Sequence, residues 1–447
     1  MSLDDPLAVE RALVEPQDFI SPRGIYSESS SSRGRAGGDE RLGSNVEAIE
    51  EFFRRRYGGD ALVLPSGRLA LYIAFREWLA PGDRILMSPV DDDVVFFTVL
   101  AAGLVPVLGP IDPDTGNLDP KAIDDATWSR LRAVLTTNLY GIPDAMEALG
   151  ERCRRHGLIL FEDACQAFDT RVDGKRIGTF GTAAAFSLGK HLEIPGGVLV
   201  FPDSGRRDSL QRRAREALRT RPYSAVTAYK ALTLLTAVGG PGWAPEWLGW
   251  LVGRSVLPSD RWQGHRMPYD PDAVGNAIAG GGGLDRFDHW VRMDDLPYRT
   301  PLPRVVLATA LHRLETFDED RPRLLAGVQS LVDLGYIPPR IRIPRDTVLL
   351  RVPLFVEDRE RVLAQLARRG YHIQCIYDPP LDEYAPAFAE RLPSPPSRRI
   401  WSRDVLPVNP RRADRFLALR RETPGLFRPI GGDLSMAASL PKIAAQS

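Results

Sequence analysis

Residues 158–168 read LILFEDACQAF, and residues 181–200 read GTAAAFSLGKHLEIPGGVLV. The first stretch is a short apolar run that ends on two acids. It reads as a buried strand that delivers Asp163 at its carboxyl end. The second stretch reads as two short strands, GTAAAFSL and GGVLVF, joined by a turn that carries Lys190. A carboxylate at the end of a buried strand is costly unless something pairs with it. Lysine is scarce in this chain, at positions 121, 175, 190, 230 and 442 alone. One of these few, Lys190, sits among apolar residues and glycine, where desolvation is expected to lower its pKa toward the nucleophile range. Taken singly, Asp163 serves equally well as a helix cap or salt-bridge partner, and Lys190 as surface charge.

Outward from this stretch, strands and helices alternate. ALVLP (61–65), RILMSP (84–89), LVPVLG (104–109) and LRAVLTTN (131–138) read as strands. SGRLALYIAFREWLAPGD (66–83), VVFFTVLAAG (94–103) and DAMEALGERCRRHG (144–157) read as helices. That order predicts an α/β fold built on a mostly parallel sheet, with ligands beyond the carboxyl ends of its strands. Residues 1–44, rich in Ser, Gly, Arg and Asp, read as an extended arm. Residues 45–219 form the large domain and open with a helix whose Val46, Ile49, Phe52 and Phe53 share a face. Residues 220–296 read as an insertion and hold five of the eight tryptophans. Residues 297–447 return by a helix to the core and form a smaller α+β domain, with strands TVLLRVPLFV (347–356) and YHIQCIY (371–377) around the helix DRERVLAQLARRG (358–370).

The chain has 447 residues, 43% hydrophobic and 26% charged, with no net formal charge. A sizeable core is expected, and the basic excess of a nucleic-acid binder is missing. Three separated cysteines without CxxC spacing argue against a disulfide framework or a zinc site and point to a reducing, cytoplasmic setting. The six histidines form no metal-binding pattern. The apolar run at 231–253 reads either as a packed helix pair or as a peripheral membrane contact through its tryptophans.

Three features converge on one ligand. Ser66 and Gly67 fall between a strand and a helix, where free backbone N–H groups favour an anion, and Arg68 adds charge. The pattern is not a P-loop, because GxxxxGK[ST] is absent. A phosphate at Ser66–Gly67, aided by Ser187, a pyridinium nitrogen facing Asp163 and an aldehyde held by Lys190 together describe pyridoxal phosphate.

The segments LPSGRLALYIAF, GLVPVLGPIDPDTGNLDP, TTNLYGIPDAMEAL, LILFEDACQAF through GTFGTAAAFSLGKHL, and IYDPPL carry a resemblance to the DegT/DnrJ/EryC1/StrS sugar aminotransferases, across about residues 45–202 and 296–425. The resemblance implies the type I PLP-dependent transferase fold. It implies Lys190 as the Schiff-base and proton-shuttling lysine, Asp163 opposite the ring nitrogen, and Gln166 beside the ring. Ser66, Gly67, Ser187 and Arg68 would hold the phosphate. It also implies a homodimer that moves an amino group from an amino acid, glutamate by expectation, to a keto sugar linked to a nucleotide.

The chain departs from the family at three places. SLGK brings the phosphate serine closer to the lysine than is usual. Asp91, Asp92 and Asp93 occupy the region where many members place a ring-stacking aromatic. No asparagine precedes Tyr298 and Arg299 in LPYRT. Two other readings therefore stand beside the first: a PLP- or PMP-dependent sugar dehydratase, with His191 as an available base, and a catalytically degenerate member that binds or regulates.

Overall fold

The computed structural model describes residues 36–219, 266–292, 298–341, 343–344, 346–393 and 397–430. Its centre is an eight-stranded sheet. The strands are β1 (Asp60–Leu64), β2 (Arg84–Met87), β3 (Val105–Leu108), β4 (Ala133–Thr136), β5 (Ile159–Asp163), β6 (Ala183–Ser187), β7 (Gly197–Phe201) and β9 (Glu390–Arg391), in the order β1-β7-β6-β5-β4-β2-β3-β9. All neighbours pair in parallel except β7, which runs antiparallel to both β1 and β6. A strand covered on both faces must bury both sets of side chains, and β1 does so. Ala61 and Val63 enter one hydrophobic cluster while Leu62 and Leu64 enter another.

The helices supply those two covers. On one face lie α2 (Gly67–Trp78), α3 (Asp93–Ala101) and α6 (Arg207–Ala217), joined by α7 (Pro271–Ala279) and α8 (Leu284–Arg292). On the other lie α1 (Ala36–Tyr57), α4 (Met146–His156) and α9 (Arg304–Glu315). Every residue of α3 is buried, as its mostly apolar sequence favours. Phe97 of α3 stacks on Trp290 of α8 at 5.6 Å. The described end of the tryptophan-rich stretch thus belongs to the large core. The run at 231–253 lies outside the described residues. No helix among the described residues is long and apolar enough to cross a membrane.

Two sequence expectations change. The first helix begins at Ala36, inside the stretch read as an extended arm. The segment 371–377, expected as a strand, joins no ladder. In the small lobe, β8 (Val352–Phe355) pairs antiparallel with β10 (Val405–Val408) instead. Tyr371, Cys375 and Tyr377 are buried, so the apolar pattern of that segment reflects burial, not pairing. The short β9 returns from the small lobe to complete the edge of the large sheet beside β3.

Candidate active site

The carboxyl ends of β1, β5 and β6 open onto one cavity of about 300 Å³. Its walls include Ser66 and Gly67 beyond β1, Asp163 at the end of β5, Ser187 at the end of β6, and Lys190 on the single turn Leu188–His191. Asp92, the N-cap of α3, closes another side. This is where an open α/β sheet is expected to bind a ligand.

Backbone fit is tightest at the start of α2. A Cβ on Gly67 would lie 2.5 Å from Cys165 Sγ and 3.2 Å from the carbonyl oxygen of Phe186. A Cβ on Gly197 would lie 2.3 Å from the Ser66 carbonyl carbon and 2.4 Å from Gly67 N. Glycine at both positions lets β7 and the loop after β5 press against the turn that presents the helix N–H groups. The Ser66 hydroxyl is already committed. It accepts from Leu69 N at 3.2 Å as the helix cap and donates to the Tyr298 carbonyl at 3.1 Å. What Ser66–Gly67 offers the cavity is therefore main chain. Ser187 caps no helix with its hydroxyl, although it too lines the cavity.

Asp163 is buried, and its Oδ1 accepts from Cys165 N at 2.9 Å. Burial raises its pKa, opposed by the charge of Lys190 and the Cys165 bonds, and Asp92 adds a further push upward. Asp91 lies deeper. Its Oδ2 accepts from Thr137 Oγ1 at 2.9 Å, and burial together with the Asp163 charge holds its carboxyl well above the usual range. Lys190 corrects a sequence expectation. Burial does favour its neutral form, but Cys165, Asp163, Asp92 and Asp91 outweigh that, so its pKa is raised and not lowered. In this state the lysine is an ammonium among acids.

Three other residues end up in different surroundings from those the sequence suggested. Gln166 is not on the cavity wall. Its Oε1 accepts from Tyr140 N at 3.1 Å and from the Tyr377 hydroxyl at 3.2 Å, which ties the loop after β5 to the small lobe. Arg68 lines the cavity, but its Nη1 donates to the carbonyls of Val291 (2.8 Å) and Arg292 (3.0 Å) at the carboxyl end of α8. A cation there matches the negative pole of that helix. His191 is buried with Nε2 2.9 Å from the Gln166 carbonyl. Burial is the main cause of a pKa lowered to about 4. Near neutral pH its imidazole is uncharged and faces that carbonyl, so it is not a base for the cavity.

Asp92, Cys165 and Glu193 line the cavity without having been singled out by the sequence pattern. For Asp92, the sequence places it only in the region where many members of the resembled family have a ring-stacking aromatic. The available signal was an acid immediately before an apolar helix, the mark of an N-cap at the end of a strand. Cys165 carries no signal of its own in EDACQA, and only its main-chain bond to Asp163 Oδ1 brings it to the wall.

Residues 35–219 match the family model described as the DegT/DnrJ/EryC1/StrS aminotransferase family. Over that stretch the chain is similar to this family. One relative, the dTDP-3-amino-3,4,6-trideoxy-alpha-D-glucose transaminase of Streptomyces venezuelae, is 38% identical over 170 residues, which are 36% of this chain and 44% of that protein. Another, named a pleiotropic regulatory protein, from Geobacillus stearothermophilus, is 35% identical over 152 residues, 33% of this chain and 40% of that one. The chain thus spans less than half the length of these curated relatives. In structure, S. venezuelae DesV, solved in complex with a ketimine intermediate, superposes with a TM-score of 0.56 at 25% identity, covering 90% of this chain and 97% of DesV. The architecture is the type I PLP-dependent aminotransferase fold.

The cavity suits pyridoxal phosphate. It presents a buried carboxylate, an amine, a serine hydroxyl and the start of a 12-residue helix around one enclosed space. Such a set can meet a protonated ring nitrogen, an aldehyde and a phosphate together.

Proposed function

We propose that this chain is a PLP-dependent aminotransferase that moves an amino group from an amino acid, glutamate in this reading, to a keto sugar carried on a nucleotide. The observation that carries the proposal is the meeting of Lys190, Asp163, Ser187 and the start of α2 around one cavity. Bound there, the cofactor supplies an electron sink. Asp163 would accept a hydrogen bond from the ring N–H and keep that proton in place. Gly67 and Ser187 would hold the phosphate, with the α2 dipole favouring its charge. Lys190 Nζ would anchor the aldehyde covalently and, when free, take up and return a proton at the substrate carbon. A cytoplasmic homodimer belongs to the same reading.

The dehydratase alternative takes His191 as an available base, and the bond between its imidazole and the Gln166 carbonyl argues against that role; the presence of Lys190 favours transamination. A binding or regulatory role draws support from one feature, the carboxylate of Asp92 in the cavity wall.

The test is an absorbance spectrum with added PLP, before and after borohydride, followed by peptide mapping. The expected result is a reduced adduct on Lys190 and, before reduction, a spectral change on adding glutamate. No band at saturating PLP would end the aminotransferase reading and leave the binding role.

A further inference from the structure

Arg266 opens the segment that leads into α7, and it lies outside residues 35–219 that match the family model. It is 5% exposed. A buried guanidinium is costly unless its N–H groups are met. Here main-chain carbonyls from two distant parts of the chain meet them. Nη1 donates to Asp91 O at 2.9 Å, Nη2 to Tyr377 O at 3.2 Å, and Nε to Pro379 O. The group also lies over the Tyr384 ring, 5.3 Å from its centroid. The following residues continue the seam. Met267 N donates to Asp93 Oδ2 at 2.9 Å, the Tyr384 hydroxyl donates to Met267 O, and the Tyr269 hydroxyl donates to Tyr384 O at 2.8 Å. Residues 266–269 are thus sewn between the turn that opens α3 and the stretch 377–384.

Both edges of this seam lead to the cavity. In the turn, three successive acids take three directions. Asp91 Oδ2 accepts from Thr137 Oγ1 at 2.9 Å, and Asp93 takes the Met267 amide. Asp92, pinned between them, caps α3 by accepting from Val94 N at 3.1 Å and lines the cavity with Lys190. On the other edge, the Tyr377 hydroxyl donates to Gln166 Oε1 at 3.2 Å. The Gln166 carbonyl lies 2.9 Å from His191 Nε2, and His191 follows Lys190 on the turn after β6. One side chain therefore touches both the turn of the acid and the strut behind the lysine.

We propose that Arg266 is a positioning residue that fixes Asp92 in the cavity wall it shares with Lys190. The inference rests on the aminotransferase reading for its catalytic meaning, and on these hydrogen bonds alone for its geometry. The acidic turn and the insertion, unrelated in the sequence, thereby form one unit. Asp92 acts with Cys165, Asp163 and Asp91 to raise the proton affinity of Lys190. Such attraction falls with distance, so a loosened turn leaves more of the lysine as free amine.

The experiment reads the pH dependence of Lys190 acylation, by peptide mass, in the cofactor-free full chain. The parent is compared with Arg266→Lys, Asp92→Asn and the double variant. A lysine keeps the charge but lacks the planar fork that reaches several carbonyls. Arg266→Lys is expected to move the midpoint down by about half a pH unit, roughly threefold more free amine at a fixed pH below it. In the Asp92→Asn background the same change is expected to have little further effect. A midpoint unmoved in a folded Arg266→Lys, or a shift of full size without the Asp92 carboxylate, would overturn the proposal, because a plain staple has no reason to act through Asp92. If Arg266→Lys melts too early to label, hydrogen exchange of the parent in rising urea decides. The amides of Val94, Met267 and Leu381 are then expected to open with one free energy, and separate opening of Val94 would overturn the proposal. A midpoint that depends on Arg266 and Asp92 in a chain that forms no PLP adduct at Lys190 upholds the positioning role and removes the aminotransferase.

Discussion

The two ends of helix α2 face opposite electrostatic worlds. At its amino end a cavity walled by Asp92 and Asp163, with Asp91 behind them, surrounds one lysine. At its other end Arg76 joins four more arginines around a hollow with two acids on its wall. The cavity is deep, and burial there shifts proton affinities: upward for Asp91 and Asp163, and upward for Lys190 because the acids outweigh desolvation. Around the hollow the charges lie nearer water, with the side chains of Asp285 and Arg219 68% and 47% exposed, so their attraction is screened and each such pair is worth little. The contrast teaches that the same helix carries charges whose proton affinity burial governs at one end and charges that water screens at the other.

The strongest way to break the cavity side is Lys190→Ala. It is expected to abolish the borohydride-trapped adduct and reduce turnover below detection. An adduct of undiminished yield on another lysine would sink the assignment.

Next comes the scaffold beneath the cavity. Gly197→Ala must push a Cβ into the Ser66 backbone at 2.3 Å. The expected cost is about 1–3 kcal/mol in urea unfolding, as for other overpacked sites, with weaker PLP binding because the phosphate turn moves. Unchanged stability would mean that this turn is more pliable than its packing implies.

The third prediction sharpens the electrostatic contrast. The Asp92 carboxylate raises the Lys190 pKa, so Asp92→Asn is expected to lower it. At a fixed pH near neutrality more of the lysine is then the free amine. Labelling of Lys190 in the cofactor-free protein by an acylating reagent should be several-fold faster, with its pH midpoint moved down. A midpoint that stays in place would show that Asp92 is electrostatically silent. Stability carries the same sign. A lysine with a raised folded pKa stabilises the fold below its unfolded value, and that contribution fades as pH climbs through the folded one.

The smallest effect concerns an arginine on the cavity wall. Arg68→Ala removes the guanidinium from the Val291 and Arg292 carbonyls. A loss of about 0.3–1 kcal/mol is expected from the carboxyl end of α8, with PLP affinity within about twofold of the parent. A tenfold loss of PLP affinity would return Arg68 to the phosphate.

Much of this was readable in the linear chain. The sheet followed from apolar runs alternating with amphipathic helices, since burial on two faces forces that pattern whatever the distant partners are. Asp163 and Lys190 were legible for the same local reason: each follows directly on an apolar strand, and strand ends in such a sheet face the ligand. Even the Ser66 cap was written in the step from ALVLP to SGRLAL. The small lobe was less legible. YHIQCIY carries a strand-like composition, but β8 takes β10 as its partner, and pairing is a long-range choice.

What the tertiary structure alone decided concerns charge and direction. No local pattern shows that Asp92 turns into the same cavity as Lys190 and joins Cys165 and Asp163 in raising its pKa. Nor does any reveal that the Gln166 side chain faces Tyr140 and Tyr377, or that Arg68 is spent on a helix 223 residues further on. The five arginines of the hollow come from positions 76 to 299, and their common wall exists only because α2, α6 and α8 pack side by side. Secondary structure depends on residues a few positions apart. Proton affinity and the clustering of charge depend on which groups share a space, and the fold alone sets that.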